Sequence, residues 1–485
     1  MIKQNHTSIQ QFLSAGAITL SLGWLTACAT TSSSLEQKAH FDTQLPHTWQ
    51  SVNSSQSTLD TAALSRWWQR FDDPQMEALI TDAIEKNPDL RSALSTIRQA
   101  RAERGLESAE LWPSLAASIA GSGTQTRDLN NSNSTHSDSY QAALDASWEV
   151  DLFGRQQQYV AAADAALAAS EEDYRQAQVT LAAEVASTYL TLCSYTTQLD
   201  IVRQNLATRE STQEIVQWQE QAGESDALNS QQSIAATEQV RAQIPELEQS
   251  LVETRNSLAI LTGRTPAALQ GQLQLPTSFP SAPANIAVGI PAETLRQRPD
   301  IRSSENTILA AQARLTAAER SRLPSLNLSG SIGIEALQAG DLLDPQSLIS
   351  NLAAGLSAPL WDAGRIRRNI EVQNELLQQA YLEYENTVLN ALAEVENALS
   401  SIDKRNQQIT TLQRACEAAQ NATQLAQLQY KAGEVDLLTV LDAQRTELSL
   451  DQSLTSTQAE ALNAHVQLYK ALGGGWDTSS ANETL

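Results

Sequence analysis

Histidine, cysteine and carboxylate side chains carry most of the chemistry a chain can do unaided, and here they are dispersed. The five histidines, His6, His40, His47, His136 and His465, fall in the leader, the segment after it, a polar loop and a helix, with no metal-ligand spacing. No nucleophile elbow and no phosphate-cradling loop accompanies them, so an enzyme finds little support. Of the three cysteines, Cys193 and Cys416 make no disulfide framework and read as small apolar residues on helices. Cys28 differs. Lys3 precedes a mostly apolar stretch from Ile9 to Trp24, and small residues stand just before the thiol, where a signal peptidase closes on the backbone. Residues 1–27 therefore read as a secretion signal, although its start is poor in positive charge.

Leu25-Thr26-Ala27-Cys28 resembles the bacterial lipobox, whose cysteine thiol is diacylated and whose freed amino group is acylated in turn. The resemblance implies that Cys28 becomes the lipidated first residue, with no cofactor beyond that covalent lipid. Each buried acyl CH₂ adds roughly 0.8 kcal/mol of membrane affinity. Ala29 is not an aspartate, which by similarity to enteric lipoproteins implies export to the outer membrane. The competing reading is an ordinary secreted protein in which Cys28 lies near the cleavage site by chance.

After the signal, no apolar run approaches the ~20 residues that a membrane-spanning helix requires, so a mature chain that crosses a bilayer does so as a closed barrel. The formal charge of −24 argues against nucleic acid or an anionic membrane face as the main partner. It suits a water-filled passage, or simple solubility.

The elements that must position these residues are written twice. Pro88-Asp89-Leu90-Arg91 returns as Pro299-Asp300-Ile301-Arg302, and Pro113-Ser114-Leu115 as Pro324-Ser325-Leu326, at an offset of 211 (299 − 88). After a one-residue slip, Gly154-Arg155 returns as Gly364-Arg365, Ala183-Glu184-Val185 as Ala393-Glu394-Val395, and Ala222-Gly223-Glu224 as Ala432-Gly433-Glu434. Low-complexity helices aligning by chance would not match at proline, glycine and arginine.

Within each unit the hydrophobic period changes in the same order. Glu77 to Leu111 has helical spacing with no interior proline except Pro88, and gives way to strand at Trp112-Pro113. A short Ser/Ala/Gly-rich strand (about 114–123) precedes a polar run from Thr124 to Ser139. Then 140–152 alternates, with Tyr140, Ala142, Leu144, Ala146, Trp148, Val150 and Leu152 on one side and Gln141, Asp145, Ser147, Glu149 and Asp151 on the other. That pattern fits a transmembrane barrel strand, and equally a half-buried sheet in a soluble domain. In the second unit the strands fall at about 325–334 and 352–361, although Pro359 suits no central strand. Long helical hairpins follow, over 155–262 and 365–472, turning at Gly223 and Gly433. The chain thus divides into the signal, an extended lipid-anchored segment (28–60), repeat 1 (61–262), a linker (263–290), repeat 2 (291–475, opening on a short helix over 291–298) and a polar tail (476–485).

Together with Trp67-Trp68, Phe71-Asp72-Asp73-Pro74, Asn87-Pro88-Asp89-Leu90, Arg298-Pro299-Asp300-Ile301 and Leu360-Trp361-Asp362-Ala363-Gly364-Arg365, these landmarks resemble the outer-membrane factor (TolC-like) family, in its NodT-type lipoprotein branch. The resemblance covers nearly the whole mature chain. It implies a mostly α fold with a transmembrane β-barrel, in which a homotrimer forms a 12-stranded β-barrel continuous with a long periplasmic α-helical barrel. The implied function is a passive duct of a tripartite export system, driven by an inner-membrane pump and opened by a periplasmic adaptor.

By the same resemblance, Gly223 with Ser225 and Gly433 with Val435 mark the tips that meet the adaptor. Leu438 and Asp442 face the axis as the periplasmic gate, where threefold symmetry makes each a ring. Three carboxylates there attract cations and repel anions. Val435 and Thr439 stand where the best-known member has a gating arginine and a second aspartate, so a lock of that kind is not expected. A periplasmic coiled-coil adaptor or structural lipoprotein is the rival reading, and it leaves the alternating strands unexplained. The cargo is open.

Overall fold

The computed structural model describes Trp49 and residues 64–127, 134–271, 273–274, 278–283, 295–338, 340–341 and 348–476. The signal with Cys28, nearly all of segment 28–60, much of the linker, the first four residues of the helix expected over 291–298, and residues 477–485 lie outside the described residues.

Prolines and carboxylates set the helix starts. Helix α1 (Pro74–Lys86) carries proline in its first turn, and the Asp73 carboxylate caps it, accepting from the amides of Gln75 (2.9 Å) and Met76 (3.0 Å). The continuous helix expected over Glu77 to Leu111 is two helices, because Pro88 forces Asn87 into an extended conformation. The Asn87 amide oxygen then caps α2 (Pro88–Ala109), accepting from the amides of Asp89 and Leu90.

Four antiparallel strands follow in two pairs, β1 (Ser114–Arg127) with β2 (Ser134–Val150), and later β3 (Ser325–Ala336) with β4 (Leu348–Ser357), in the order β1-β2-β3-β4. The first two strands run well past the limits expected from alternation. Gly121 to Arg127 pairs with Tyr140 to Ser134, because a backbone ladder forms whether or not its side chains are apolar. β2 ends at Val150, two residues before Leu152. β4 lies four residues earlier than 352–361 and stops short of Pro359, which has no N–H for a ladder.

The first pair leads through Gly154 into α3 (Arg155–Ala222), the second through Gly364 into α7 (Arg365–Lys431). These helices have 68 and 67 residues, roughly 100 Å each. The returning limbs differ. Repeat 2 has one helix, α8 (Leu437–Ala471). Repeat 1 has α4 (Ala227–Arg241) and α5 (Gln243–Leu261) separated at Ala242, not the single limb expected, because the Pro245 ring conflicts with the carbonyl four residues back. Helix α6 (Pro299–Arg320) is the counterpart of α2, and both have 22 residues.

The repeats share one core. Trp67 and Phe71, from a 3₁₀ turn ahead of α1, pack with Tyr469 of α8, and the Trp67 and Tyr469 rings stack 5.3 Å apart. Tyr189 of α3 donates its hydroxyl to Asp73 at 2.8 Å. Gly474 is needed beside this stack, since a Cβ there would lie 2.8 Å from the Leu64 carbonyl oxygen and 3.2 Å from Trp67. Each repeat also closes on a matching clamp. The Asn87 amide donates to the Leu261 carbonyl at the end of α5, and the Arg298 guanidinium donates to the Ala471 carbonyl at the end of α8. Arg298 is nearly buried and also bonds Asp300 and Glu394. Burial opposes its charge, but those two carboxylates outweigh the burial and hold its pKa above the ordinary value.

Cys193 and Cys416 are buried on α3 and α7, and both are free thiols.

Candidate functional site

The strand register sorts the side chains of the sheet into two unlike faces. Leu115, Ile119, Tyr140, Leu144, Trp148, Leu326, Leu328, Ile332, Ile334, Leu352 and Leu356 share one face. The other carries Ser114, Ser118, Gln141, Asp145, Ser147, Glu149, Asn327, Ser329, Ser331, Glu335 and Asn351. Polar side chains knit that second face together, Ser118 donating to Asp145 and Ser139 to Glu335, each at 2.6 Å. The apolar face is not covered by the rest of the chain, with Ile119 at 87% and Leu352 at 86% exposure. On β2 it runs from Tyr140 to Val150, which at about 3.4 Å per residue and a tilt near 45° spans roughly 25 Å, the height of a barrel's lipid-facing band. The outer edges of β1 and β4 have no strand partner among the described residues.

At the far end of the long helices, each hairpin turns through a glycine in the left-handed region. Gly223 has φ +75° and Gly433 φ +74°, and a Cβ at either would meet nothing within 4 Å. Only the backbone requires glycine there. At the first tip the amides of Glu224 and Ser225 donate to the Gln219 carbonyl, and Ser225 accepts from the Asn229 side chain at 3.2 Å. At the second, the Glu434 amide donates to Gln429, Val435 is half-buried, and Asp436 caps α8. The hydroxyl and amide of Thr439 both donate to the Asp436 carboxylate and hold its pKa below the usual range. Tyr430 donates to Gln219 at 2.7 Å, tying the ends of α3 and α7 together.

Above the second tip, α8 has two faces. Leu437, Val440, Gln444 and Leu448 are buried, whereas Leu438 is 49% exposed and the Asp442 side chain 66%. Leu438 and Asp442 thus lie one turn apart on an uncovered stripe. The sequence reading missed the third member of that stripe, Arg445, which pairs with Asp442 at 3.0 Å and was signalled only by its i+3 spacing. It also missed the polar contacts behind the stripe. Gln444 donates to Thr212 at 3.1 Å, and the buried Arg209 bonds the Asn205 side chain and the Ala236 carbonyl. Cys28 lies outside the described residues.

Among the described residues no helix is long and apolar enough to cross a membrane, and no group of His, Cys, Asp or Glu could hold a metal ion. The family described as outer membrane efflux protein matches residues 79–264 and 290–474, one segment for each repeat. The chain is 34% identical over 471 residues to the pyoverdine export outer membrane protein OpmQ of Pseudomonas aeruginosa, covering 94% of this chain and 97% of that protein. It is 30% identical over 426 residues to the cation efflux system protein CusC of Escherichia coli O6:H1, with 88% and 92% coverage. The solved outer-membrane channel OprN matches with a TM-score of 0.80 at 29% identity, covering 89% of this chain and 99% of that one. With a duplicated architecture, a sheet split into apolar and polar faces, and long paired hairpins, this chain belongs to the outer membrane efflux protein family.

Proposed function

We propose that three copies of this chain close into one passive duct across the bacterial outer membrane, continued into the periplasm by the helical hairpins. The observation that carries this reading is the sheet: four antiparallel strands whose two outer edges have no strand partner among the described residues, an exposed apolar face and an exposed polar face. β1 and β4 run in opposite directions, so β4 of one copy can continue the antiparallel ladder onto β1 of the next. Three sheets of four strands make a closed twelve-stranded barrel, which removes the edges and gives every backbone group a partner inside lipid. The apolar face then meets lipid and the polar face lines water.

In this assembly a lipid on Cys28 anchors the start of each mature chain, and the tips at Gly223, Ser225, Gly433 and Val435 receive a periplasmic adaptor that links the duct to an inner-membrane pump. Leu438 and Asp442 form the narrow rings of the closed gate. A periplasmic adaptor or scaffold would have no use for the two-faced sheet.

Carbonate washing of membranes tests the reading. The mature protein is expected to remain in the outer-membrane fraction and to run as a heat-sensitive trimer, and recovery as a soluble monomer would refute the duct. For the gate, Asp442→Ala is expected to raise single-channel conductance in planar bilayers, and an unchanged conductance would place Asp442 off the pore.

A further inference from the structure

The stripe on α8 that carries Asp442 is not an acidic stripe. One turn further along the same exposed face stands Arg445, 73% exposed at its side chain, with a guanidinium nitrogen 3.0 Å from an Asp442 carboxylate oxygen. An ion pair this exposed does little for stability, so its consequence lies in the field it projects. The matching positions on α4, 210 residues earlier (442 − 232), are Leu228, Gln232 and Ala235, none of them charged. Behind the stripe sits Arg209, 5% exposed, whose hydrogen bonds go to the Asn205 amide oxygen and the Ala236 carbonyl and not to a carboxylate. Gln444, the neighbour of Arg445, donates to Thr212 on α3, three residues from Arg209, and burial, then the charge of Arg445, lower the Arg209 pKa.

On the exposed stripe itself the Asp442 carboxylate is therefore matched by one guanidinium, with a second, buried guanidinium on α3 behind it. We propose that Arg445 is the residue that sets the charge preference of the constriction, cancelling the Asp442 ring so that the gate passes anionic and zwitterionic cargo rather than selecting cations. This rests on the duct reading above, in which Leu438 and Asp442 face the axis, and on Arg445 sharing their exposed face. Under threefold symmetry the three carboxylates become a ring of three ion pairs, with three buried positive charges behind it. Rings of carboxylates favour cations and rings of arginine favour anions, so a paired ring loses the first preference without excluding either sign. It reverses the expectation drawn from Asp442 alone, that the gate repels anions.

Reversal potentials of the full mature trimer in planar bilayers under a KCl gradient test this. Arg445→Gln is expected to raise the potassium-to-chloride permeability ratio roughly thirtyfold, because one unit charge about 4 Å away through water shifts each ion by about 1 kcal/mol, roughly fivefold, in opposite directions. Arg445→Lys should retain the wild-type ratio, Asp442→Asn should lower it, and the double variant Asp442→Asn/Arg445→Gln should return close to wild type. A ratio that does not move in Arg445→Gln, or that moves equally in Arg445→Lys, overturns the assignment while leaving the duct intact. Wild-type protein that forms no channels at all overturns the duct, and the assignment with it.

Discussion

Arg298 offers the most demanding test of how the second hairpin is held. Its side chain is 6% exposed and reaches three partners: Asp300 with two bonds at 3.0 and 2.7 Å, Glu394 at 2.8 Å and the Ala471 carbonyl at 2.8 Å. Arg298→Met fills similar space but removes every donor. Asp300 and Glu394 are 24% and 50% exposed, so water replaces much of what they lose. The Ala471 carbonyl is less fortunate, since an orphaned buried acceptor costs about 1–3 kcal/mol. Adding the charge-assisted bonds at a discount puts the loss near 3 kcal/mol, toward the lower end of what breaking a buried pair costs. The damage is local to the end of α8, where the amides of Leu472, Gly473 and Gly474 bond back to Leu468, Lys470 and Tyr469. Hydrogen exchange on peptides spanning 466–475 is therefore the assay, with opening expected to increase on the order of a hundredfold. Exchange within about threefold of wild type would refute the idea that this guanidinium pins the helix end.

Other outcomes follow from the same geometry. Gly474→Ala forces a Cβ against the Leu64 carbonyl and the buried Trp67 ring, and should lower the trimer's heat-dissociation temperature through a cost of about 1–3 kcal/mol. Gly223→Ala meets only the backbone penalty of its positive φ, about 1–2 kcal/mol confined to the tip, and should leave that temperature unchanged. Burial, with the charge of Asp73, pushes the Cys193 thiol up to about 12, and burial with Asp451 pushes Cys416 up to about 11. Native protein at neutral pH should thus resist maleimide. Denatured mature protein should take two labels, and a third would show that Cys28 carries no lipid. Asp436 has a depressed pKa in the folded chain, so its cap on α8 is complete above the ordinary carboxylate value of about 4 and is lost as pH falls through the lower folded value. Exchange at the Thr439 amide, corrected for its intrinsic rate, should rise only in that acidic window.

The landmarks read most readily from the sequence were those the backbone itself demands. Gly154, Gly223, Gly364 and Gly433 all sit at positive φ, and Pro88 and Pro299 both open helices, so the duplication and its turns were visible before any contact was known. Strand ends were harder to read, because the Ser/Thr run around residues 124–139 looks like loop and yet pairs across to itself in part. Pro245 stood in plain view, but helical periodicity continues on both sides of it and hid the break. Arg445 and Arg209 were missed for opposite reasons. An i+3 ion pair matters only once one knows that its face is uncovered, and a buried arginine in a polar helix reads as one more solvated charge. The apolar and polar faces of the sheet emerged correctly from Tyr140 to Val150 because a period of two leaves no freedom in which side a residue takes.

The break at Ala242 makes the two hairpins unequal as machines. Helix α8 is an uninterrupted rod of 35 residues, roughly 50 Å long, whereas the first return limb is interrupted a little under half way from tip to foot. A sideways push on an unbroken rod becomes rotation at its far end, so α8 acts as a lever whose foot bears on the Trp67 and Tyr469 stack. The same push on α4 meets the interruption ahead of Pro245, where a helix bends more readily than an unbroken one. Force applied to both tips is therefore expected to reach the foot mainly through one arm of each chain, the arm that carries Leu438, Asp442 and Arg445.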